Sequence, residues 1–312
     1  MRWLWSFLRR RKGALIDRLP PLSGTVAEDV PLARKTWFGV GGTAEVYVEP
    51  ADVTDLSTLI RYLPNEPLTV LGAGSNVLIR DGGIPGIVVK LGKPFATIQV
   101  TENRLICGAG ASVMEVARIA EKNKIAGLEF LCGIPGSVGG ALRMNAGAHG
   151  QAVFDRLEKL TAVTGAGEIV DINPHEMDVF GYRQCHLPSD WIFVEAVFVG
   201  EVVESVDGIR EKTVSYKKHR ESSQPQGVRT AGSTFKNPEG LAAWRLIEKA
   251  GMKGARVGGA VISDKHANFI INTGGATAAD IENLGEQVRE AVFKKCGVTL
   301  EWEVKKLGVN QK

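Results

Sequence analysis

The sequence predicts an α+β or α/β chain on three observations. Short runs rich in β-branched residues alternate in polarity as strands do, and amphipathic helical patterns fall between them. Glycine accounts for 37 of the 312 residues and gathers at the ends of those runs. Near residue 205 the texture shifts from strand-heavy to polar and helical, which marks a change of domain.

Taken in order, "AEVYVEP" from Ala44 reads as a strand and "ADVTDLSTLIRYL" from Ala51 as a helix. Strands follow in "LTVLGAG" (from Leu68), "GIVVKLG" (from Gly86) and "RLICGAG" (from Arg104). A second helix, "SVMEVARIAEKNKI", opens at Ser112, and Glu115 stands three residues on, the spacing of a capping box. "IFVEAVFVG" from Ile192 is a further strand. Polar "SYKKHRESSQPQ" leads to "AGSTFKNP", Ala231 to Pro238, and then to helical "LAAWRLIEKAG", which Gly251 ends as a C-cap. "RVGGAVIS" and "HANFIINTGGAT" precede a long amphipathic helix from Ala278 to about Cys296, closed by Gly297. The strand-like "VTLEWEVKKLG" comes last.

Composition excludes several function classes. Hydrophobic residues at 44% and charged residues at 23% describe an ordinary globular protein, and a net charge of +3 gives no global field for nucleic acid. Cys107, Cys132, Cys185 and Cys296 lack CxxC spacing, so they read as packed thiols in a reducing cytosol and not as a metal site. The apolar run in "MRWLWSFLRRRK" is too short to span a bilayer, and its basic cluster follows where a secretory signal has it first. Trp3, Trp5 and Phe7 beside Arg9, Arg10 and Arg11 could touch an anionic membrane surface; the plainer reading is a basic terminal arm.

Two glycine-rich segments carry the chemistry. "GAGSN" (Gly72, Ala73, Gly74, Ser75, Asn76) follows an apolar strand, where small residues let successive backbone N–H groups face an anion. It has neither the GK[ST] of a P-loop nor GxGxxG spacing. "GIPGSVGGALRMNAGAHG", Gly133 to Gly150, holds six glycines in eighteen residues. A loop so poor in side chains is costly in backbone entropy unless a large group packs on it. An extended cofactor with a pyrophosphate and a flat ring meets that demand.

"TWFGVGGTAEVYVEP", "LGAGSNVL", "GIPGSVGGAL", "NAGAHG", "AGSTFKNP", "KHANFIIN" and "LEWEVKKLG" occur in the order seen in bacterial UDP-N-acetylenolpyruvoylglucosamine reductases. The chain closely resembles the form of that family with the shorter substrate domain, over roughly residues 20 to 310. The resemblance implies a PCMH-type FAD-binding fold of two α+β subdomains, 20–95 and 96–205, after an arm of 1–19. A smaller α+β substrate domain, 206–300, and a C-terminal strand, 301–312, would follow. It implies noncovalent FAD, NADPH as hydride donor, and UDP-N-acetylglucosamine enolpyruvate as substrate, in cytoplasmic cell-wall precursor synthesis without a metal.

Site residues implied by the resemblance fall in both glycine segments and beyond. Gly72, Ala73, Gly74, Ser75 and Asn76 would bracket the FAD with Gly133, Ile134, Pro135, Gly136, Ser137, Gly139 and Gly140. Asn145, Ala146 and Gly147 would lie near the ring system, and His149 stands where relatives carry tyrosine, a departure from the family pattern at a ring-stacking position. The reaction passes hydride from reduced FAD to C3 of an enol ether and needs a proton at C2. Ser233 matches the general acid, although read locally it is equally a turn or cap serine. Arg183 in "GYRQCH" matches the arginine that holds the substrate carboxylate and developing enolate. Glu303 matches the acid before "V[RK]", whereas strand alternation alone leaves it level with Glu301. Asn237, Lys236 and Tyr182 would line the substrate cleft. Read from residue type, Tyr216, Lys217 and Arg220 supply an aromatic and cations that face the nucleotide or, equally, form a solvated basic face; His266 reads as a structural histidine. A flavin oxidase of the same cofactor fold and a noncatalytic nucleotide-binding scaffold are the alternatives.

Overall fold

The computed structural model describes residues 14–176 and 179–311. The aromatic and basic residues of the terminal arm, Trp3 to Arg11, lie outside the described residues.

The first unit pairs β1 (Thr25–Pro31) with β2 (Thr43–Glu49), followed by α1 (Val53–Tyr62), β3 (Leu68–Val70), β4 (Val77–Ile79) and β5 (Ile84–Val89). Its sheet runs β1-β2-β5-β3, with β5 parallel to both β2 and β3. Helix α1 starts where Asp52 accepts the Asp55 N–H, and it buries Leu56, Leu59 and Ile60 on one face. The three parallel strands all end on one side, so the segments after β2, β5 and β3 are neighbours there. Crevices for ligands form at such carboxyl ends.

The second unit holds β6 (Ile98–Thr101), β7 (Arg104–Gly108), α2 (Val113–Lys122), β8 (Ile125–Ala126), α3 (Val138–Arg143), β9 (Gly147–Ala148) and β10 (Gln151–Ala152). It continues with β11 (Leu157–Val163), β12 (Ile169–Ile172), β13 (Phe180–Gly181), β14 (Gln184–Cys185), β15 (Ile192–Val199) and β16 (Glu201–Val202). Five strands make an antiparallel sheet, β12-β11-β15-β7-β6, and α2, α3 and the turn 129–133 share its apolar core. The capping box expected at Ser112 does not form. Ser112 is instead bridged to Ser137, with Val113 N–H donating to Gly136 O and Val138 N–H to Ala111 O, and Glu115 pairs with Arg118 at 2.7 Å. Joining the second glycine segment to the head of α2 replaces the cap.

The third unit comprises α4 (Asp207–Ser223), α5 (Ala243–Lys249), β17 (Arg256–Val257), β18 (Ala260–Ile262), β19 (Ile270–Asn272), α6 (Ala278–Cys296) and β20 (Lys305–Leu307). Helix α4 runs for 17 residues through a stretch that shows no helical period, because only Ile209 and Thr213 are buried along it. Helix α6 has a complete capping box between Thr277 and Asp280 and ends on Gly297 at φ 69°. The C-terminal segment is not one strand, as its alternation suggests. Trp302 makes a single bridge to Phe235, and only β20 is paired, parallel to β4 of the first unit.

That pairing locks the units together. Phe38, Val40 and Leu78 sit in the same core as α5, α6 and β18. Asp81 accepts the Ala278 and Ala279 N–H groups at the start of α6, a charge well placed against the helix dipole. One residue earlier, Arg80 grips Glu282 with two bonds of 2.9 Å, and Lys306 reaches the same carboxylate at 3.1 Å. Hydrogen bonding from Arg80, helped by Lys306, lowers the Glu282 carboxyl from 4.5 to about 2.

A group whose folded pKa is depressed adds stability above its unfolded pKa and loses it as pH falls through the folded value. Glu282→Gln should therefore cost about 1–3 kcal/mol near neutral pH. The gap from wild type should narrow between pH 4.5 and about 2. Urea unfolding midpoints across that range measure it; a gap independent of pH would contradict the ion-pair assignment.

Candidate functional site

The two glycine segments meet face to face. Ser75 Oγ donates to Pro135 O at 3.1 Å, and a Cβ on Gly72 would lie 2.7 Å from Ser137 Oγ. Gly74 holds φ 69° with the Lys35 backbone against it, so no side chain fits there. Among the described residues, no protein acceptor takes the backbone N–H groups of residues 72–76, nor those of Gly136 and Ser137. Seven donors without partners around one contact form a cradle for an anion, and a diphosphate fits their number.

Glu303 sits at the centre of the remaining site. Its N–H donates to Thr234 O at 2.8 Å, next to Ser233. Its carbonyl accepts from Asn76 Nδ2 at 3.1 Å, at the end of the cradle. Its Oε1 accepts from Arg183 Nε at 3.2 Å, with the two side chains 16% and 21% exposed. Burial pushes the Glu303 carboxyl above the ordinary 4.5, against the pull of Arg183. Glu301 points elsewhere: it is 74% exposed and pairs with Lys236 at 3.3 Å. Two residues apart, the glutamates part company because 301–304 is not a regular strand. Trp302 anchors the segment, its indole donating to Glu286 and its ring lying over Gly285 of α6, where a Cβ would come within 2.2 Å.

Arg183 is placed by a strained hairpin. β13 and β14 are joined by Tyr182 and Arg183 alone, and Arg183 takes φ 55°. Such a conformation costs roughly 1–2 kcal/mol for a residue with a Cβ. Asn145 holds the hairpin, its Nδ2 donating to Gly181 O at 2.9 Å while its Oδ1 accepts from Phe154 N–H. Arg183 Nη2 donates to Gly147 O at 2.9 Å, an approach that any side chain on Gly147 would obstruct. Asn145 and Gly147, expected beside the flavin ring, thus also shape the arginine; Ala146 lies between them, its carbonyl accepting from Val153 N–H. Tyr182 is exposed, with the guanidinium 5.2 Å from its ring centre.

Ser233 caps no helix. Helix α5 begins at Ala243, and the Ala243 N–H is accepted by Asn237 Oδ1 at 3.0 Å, so the cap function belongs to Asn237. Ser233 is partly exposed, and among the described residues its hydroxyl makes no hydrogen bond. The backbone around it is fixed by "KHANFIIN": Thr234 N–H donates to Asn268 O, and the Asn268 side chain exchanges two bonds with the Phe235 backbone. Asn272 Nδ2 donates to Phe38 O at 2.8 Å, tying this frame to the first unit. Asn268 and Asn272 were not singled out from sequence; two asparagines flanking an apolar run are the signal that was there. His266 Nδ1 accepts from Asn268 N–H within this frame, and burial lowers its pKa.

Helix α4 packs on the turn 129–133 that opens the second glycine segment. Tyr216 stacks on His149 at 3.8 Å and 8°, with His219 edge-on to His149 at 5.7 Å. Burial, then His219, lowers the His149 pKa, so a neutral imidazole replaces one aromatic ring with another against Tyr216. Arg220 is half-buried with Nε facing Gln224 Oε1 at 3.4 Å, and Lys217 is exposed. Among the described residues no cluster could hold a metal, and no helix is long and apolar enough to cross a membrane.

The family description "UDP-N-acetylenolpyruvoylglucosamine reductase, C-terminal domain" matches residues 224–307, and "FAD binding domain" matches 44–173. The UDP-N-acetylenolpyruvoylglucosamine reductase of Paramagnetospirillum magneticum is 48% identical over 296 residues, 95% of this chain and 96% of its own. That of Rhodospirillum rubrum is 48% identical over 301 residues, covering 95% and 94%. The crystal structure of the Thermus caldophilus reductase superposes with a TM-score of 0.79 at 33% identity, over 92% of this chain and 100% of that one.

Asn145→Ala removes the side-chain bonds to the Gly181 carbonyl and the Phe154 N–H, both in a half-buried setting. It should cost on the order of 3 kcal/mol by chemical denaturation. A change below about 0.5 kcal/mol, the range of an ordinary surface substitution, would mean the hairpin is held otherwise.

Proposed function

This chain belongs to the UDP-N-acetylenolpyruvoylglucosamine reductase family, and we infer that Ser233, Arg183 and Glu303 carry its chemistry. It is a flavoprotein reductase using FAD and NADPH to convert UDP-N-acetylglucosamine enolpyruvate to UDP-N-acetylmuramate, in peptidoglycan precursor synthesis. Full-length likeness to named reductases favours this over an oxidase or a scaffold. The observation that carries the residue assignment is the bonding of Glu303 to the Ser233 segment, the cradle and Arg183 together.

Bound FAD supplies the hydride that NADPH provides. The protein must then manage charge and a proton. Reduction of the conjugated enol ether builds negative charge at C2 and on the substrate carboxylate, beside which Arg183 offers guanidinium donors not used by Glu303 or Gly147. Glu303 fixes the guanidinium plane through Nε and moderates its charge. Ser233 holds a hydroxyl with no partner among the described residues, free to give its proton to C2. No relay group among the described residues backs that hydroxyl, so the basicity of the enolate carbon drives the transfer and solvent restores the proton. Lys236, held by Glu301, lies close enough to Glu303 to add positive charge to the same side, and Asn237 keeps its Nδ2 for ligand while Oδ1 caps α5.

Separate hydride and proton steps give distinct tests. Ser233→Ala should leave FAD binding and NADPH oxidation near wild type and slow the substrate half-reaction by at least about 10³-fold, toward the upper end for general acids. Equal slowing of both half-reactions in stopped flow would make Ser233 structural. Arg183→Ala should lose most substrate reduction, and near-normal turnover would remove its role. Glu303 protonates as pH falls through a value above 4.5, releasing Arg183. Glu303→Gln should lower substrate reduction roughly 10- to 100-fold at neutral pH and flatten the acid limb of the profile.

A further inference from the structure

Behind the cradle lies a group of charges that the reaction does not use. Lys90 follows β5 and donates Nζ to Gly72 O at 2.6 Å. Glu49 ends β2, and its Oε1 accepts from Tyr47 Oη at 2.6 Å. Lys35 sits with Nζ 4.4 Å from the centre of the Tyr47 ring. Lys35 and Glu49 both lie within electrostatic range of Lys90. Neither ammonium has a carboxylate within salt-bridge distance among the described residues. Two cations therefore face one carboxylate, and a positive charge is left over at the carboxyl ends of the parallel strands β2 and β5, where β3 runs into the glycine turn.

The contact with Gly72 gives this charge a direction. An ammonium on a carbonyl oxygen polarises the whole peptide group, and the N–H of the Gly72–Ala73 peptide belongs to Ala73, one of the donors without a partner in the cradle. Burial of Lys90, which works against its charge, is offset once an anion lies on the far side of that peptide. We propose that Lys90, reinforced by Lys35, is a positioning residue for the diphosphate bridge of the flavin cofactor, acting through the Gly72–Ala73 peptide. This rests on the reading of the chain as an FAD enzyme.

The test is flavin affinity of the deflavinated full-length protein, read by quenching of flavin fluorescence, with FAD and with riboflavin, which lacks phosphate. Lys90→Gln keeps a donor but no charge and should weaken FAD about tenfold. Lys35→Met, whose side chain makes no hydrogen bond to the turn, should weaken it by about threefold through charge alone. Riboflavin affinity should be the same in all three proteins. Loss of FAD affinity in both variants that grows smaller as salt is raised supports the proposal. Unchanged FAD affinity in both, or an equal loss for riboflavin, overturns it. Wild type that binds neither flavin would overturn the cofactor reading itself, and that result needs no variant.

Discussion

The site depends on a single residue that is bonded in three directions. Glu303 reaches Asn76 and Arg183, 227 and 120 residues away, while its own N–H holds the segment of Ser233. Backbone groups of Glu303 make two of those links, so the position of the serine and of the glycine turn does not depend on the charge of the carboxylate. The third link is ionic and partly buried, and it aims the arginine. Breaking one partner of such a pair costs far more than the pair contributes, because the other charge is left in low dielectric. The Ser233 segment, Arg183 and the glycine turn thus share one support.

Close approach of backbone to backbone is the second constraint. Glycines at 72, 74 and 147 let chain segments touch where a Cβ would collide. Nearby, Asn145, His149 and Arg183 take positive φ of 39°, 55° and 55°, so three of the six such non-glycine residues among the described ones cluster here. Strain of this kind persists only where the surroundings over-determine it. At Arg183 they do, through Asn145, Gly147 and Glu303. The return of the C-terminal segment to β4, and the charge contacts of Arg80 and Asp81 with α6, hold the Glu303 segment steady against the first unit.

Much was legible beforehand, for local reasons. Helices α1, α5 and α6 have apolar faces or capping residues that identify them, and the buried strands show their β-branched runs. Helix α4 escaped because its buried face is two residues wide. The Ser112 box failed because a pairing partner, Ser137, lay outside the window of the motif. Ser233 looked like a cap since serine before a helix usually is one, but Asn237 stands nearer the first free N–H and takes that place.

The sequence by itself determined where the two glycine-rich turns lie and that the family motifs run in reductase order, because composition and spacing along the chain carry both. The family pattern already points to Glu303, but only the tertiary structure shows why Glu303 meets Arg183 while Glu301 pairs with Lys236. Alternation made them equivalent, and what separates them is which one the Arg183 hairpin meets when β20 closes on β4. It also decided that His149 stacks on Tyr216. Each of these outcomes rests on contacts between residues far apart in the chain, and local propensity holds no information about them.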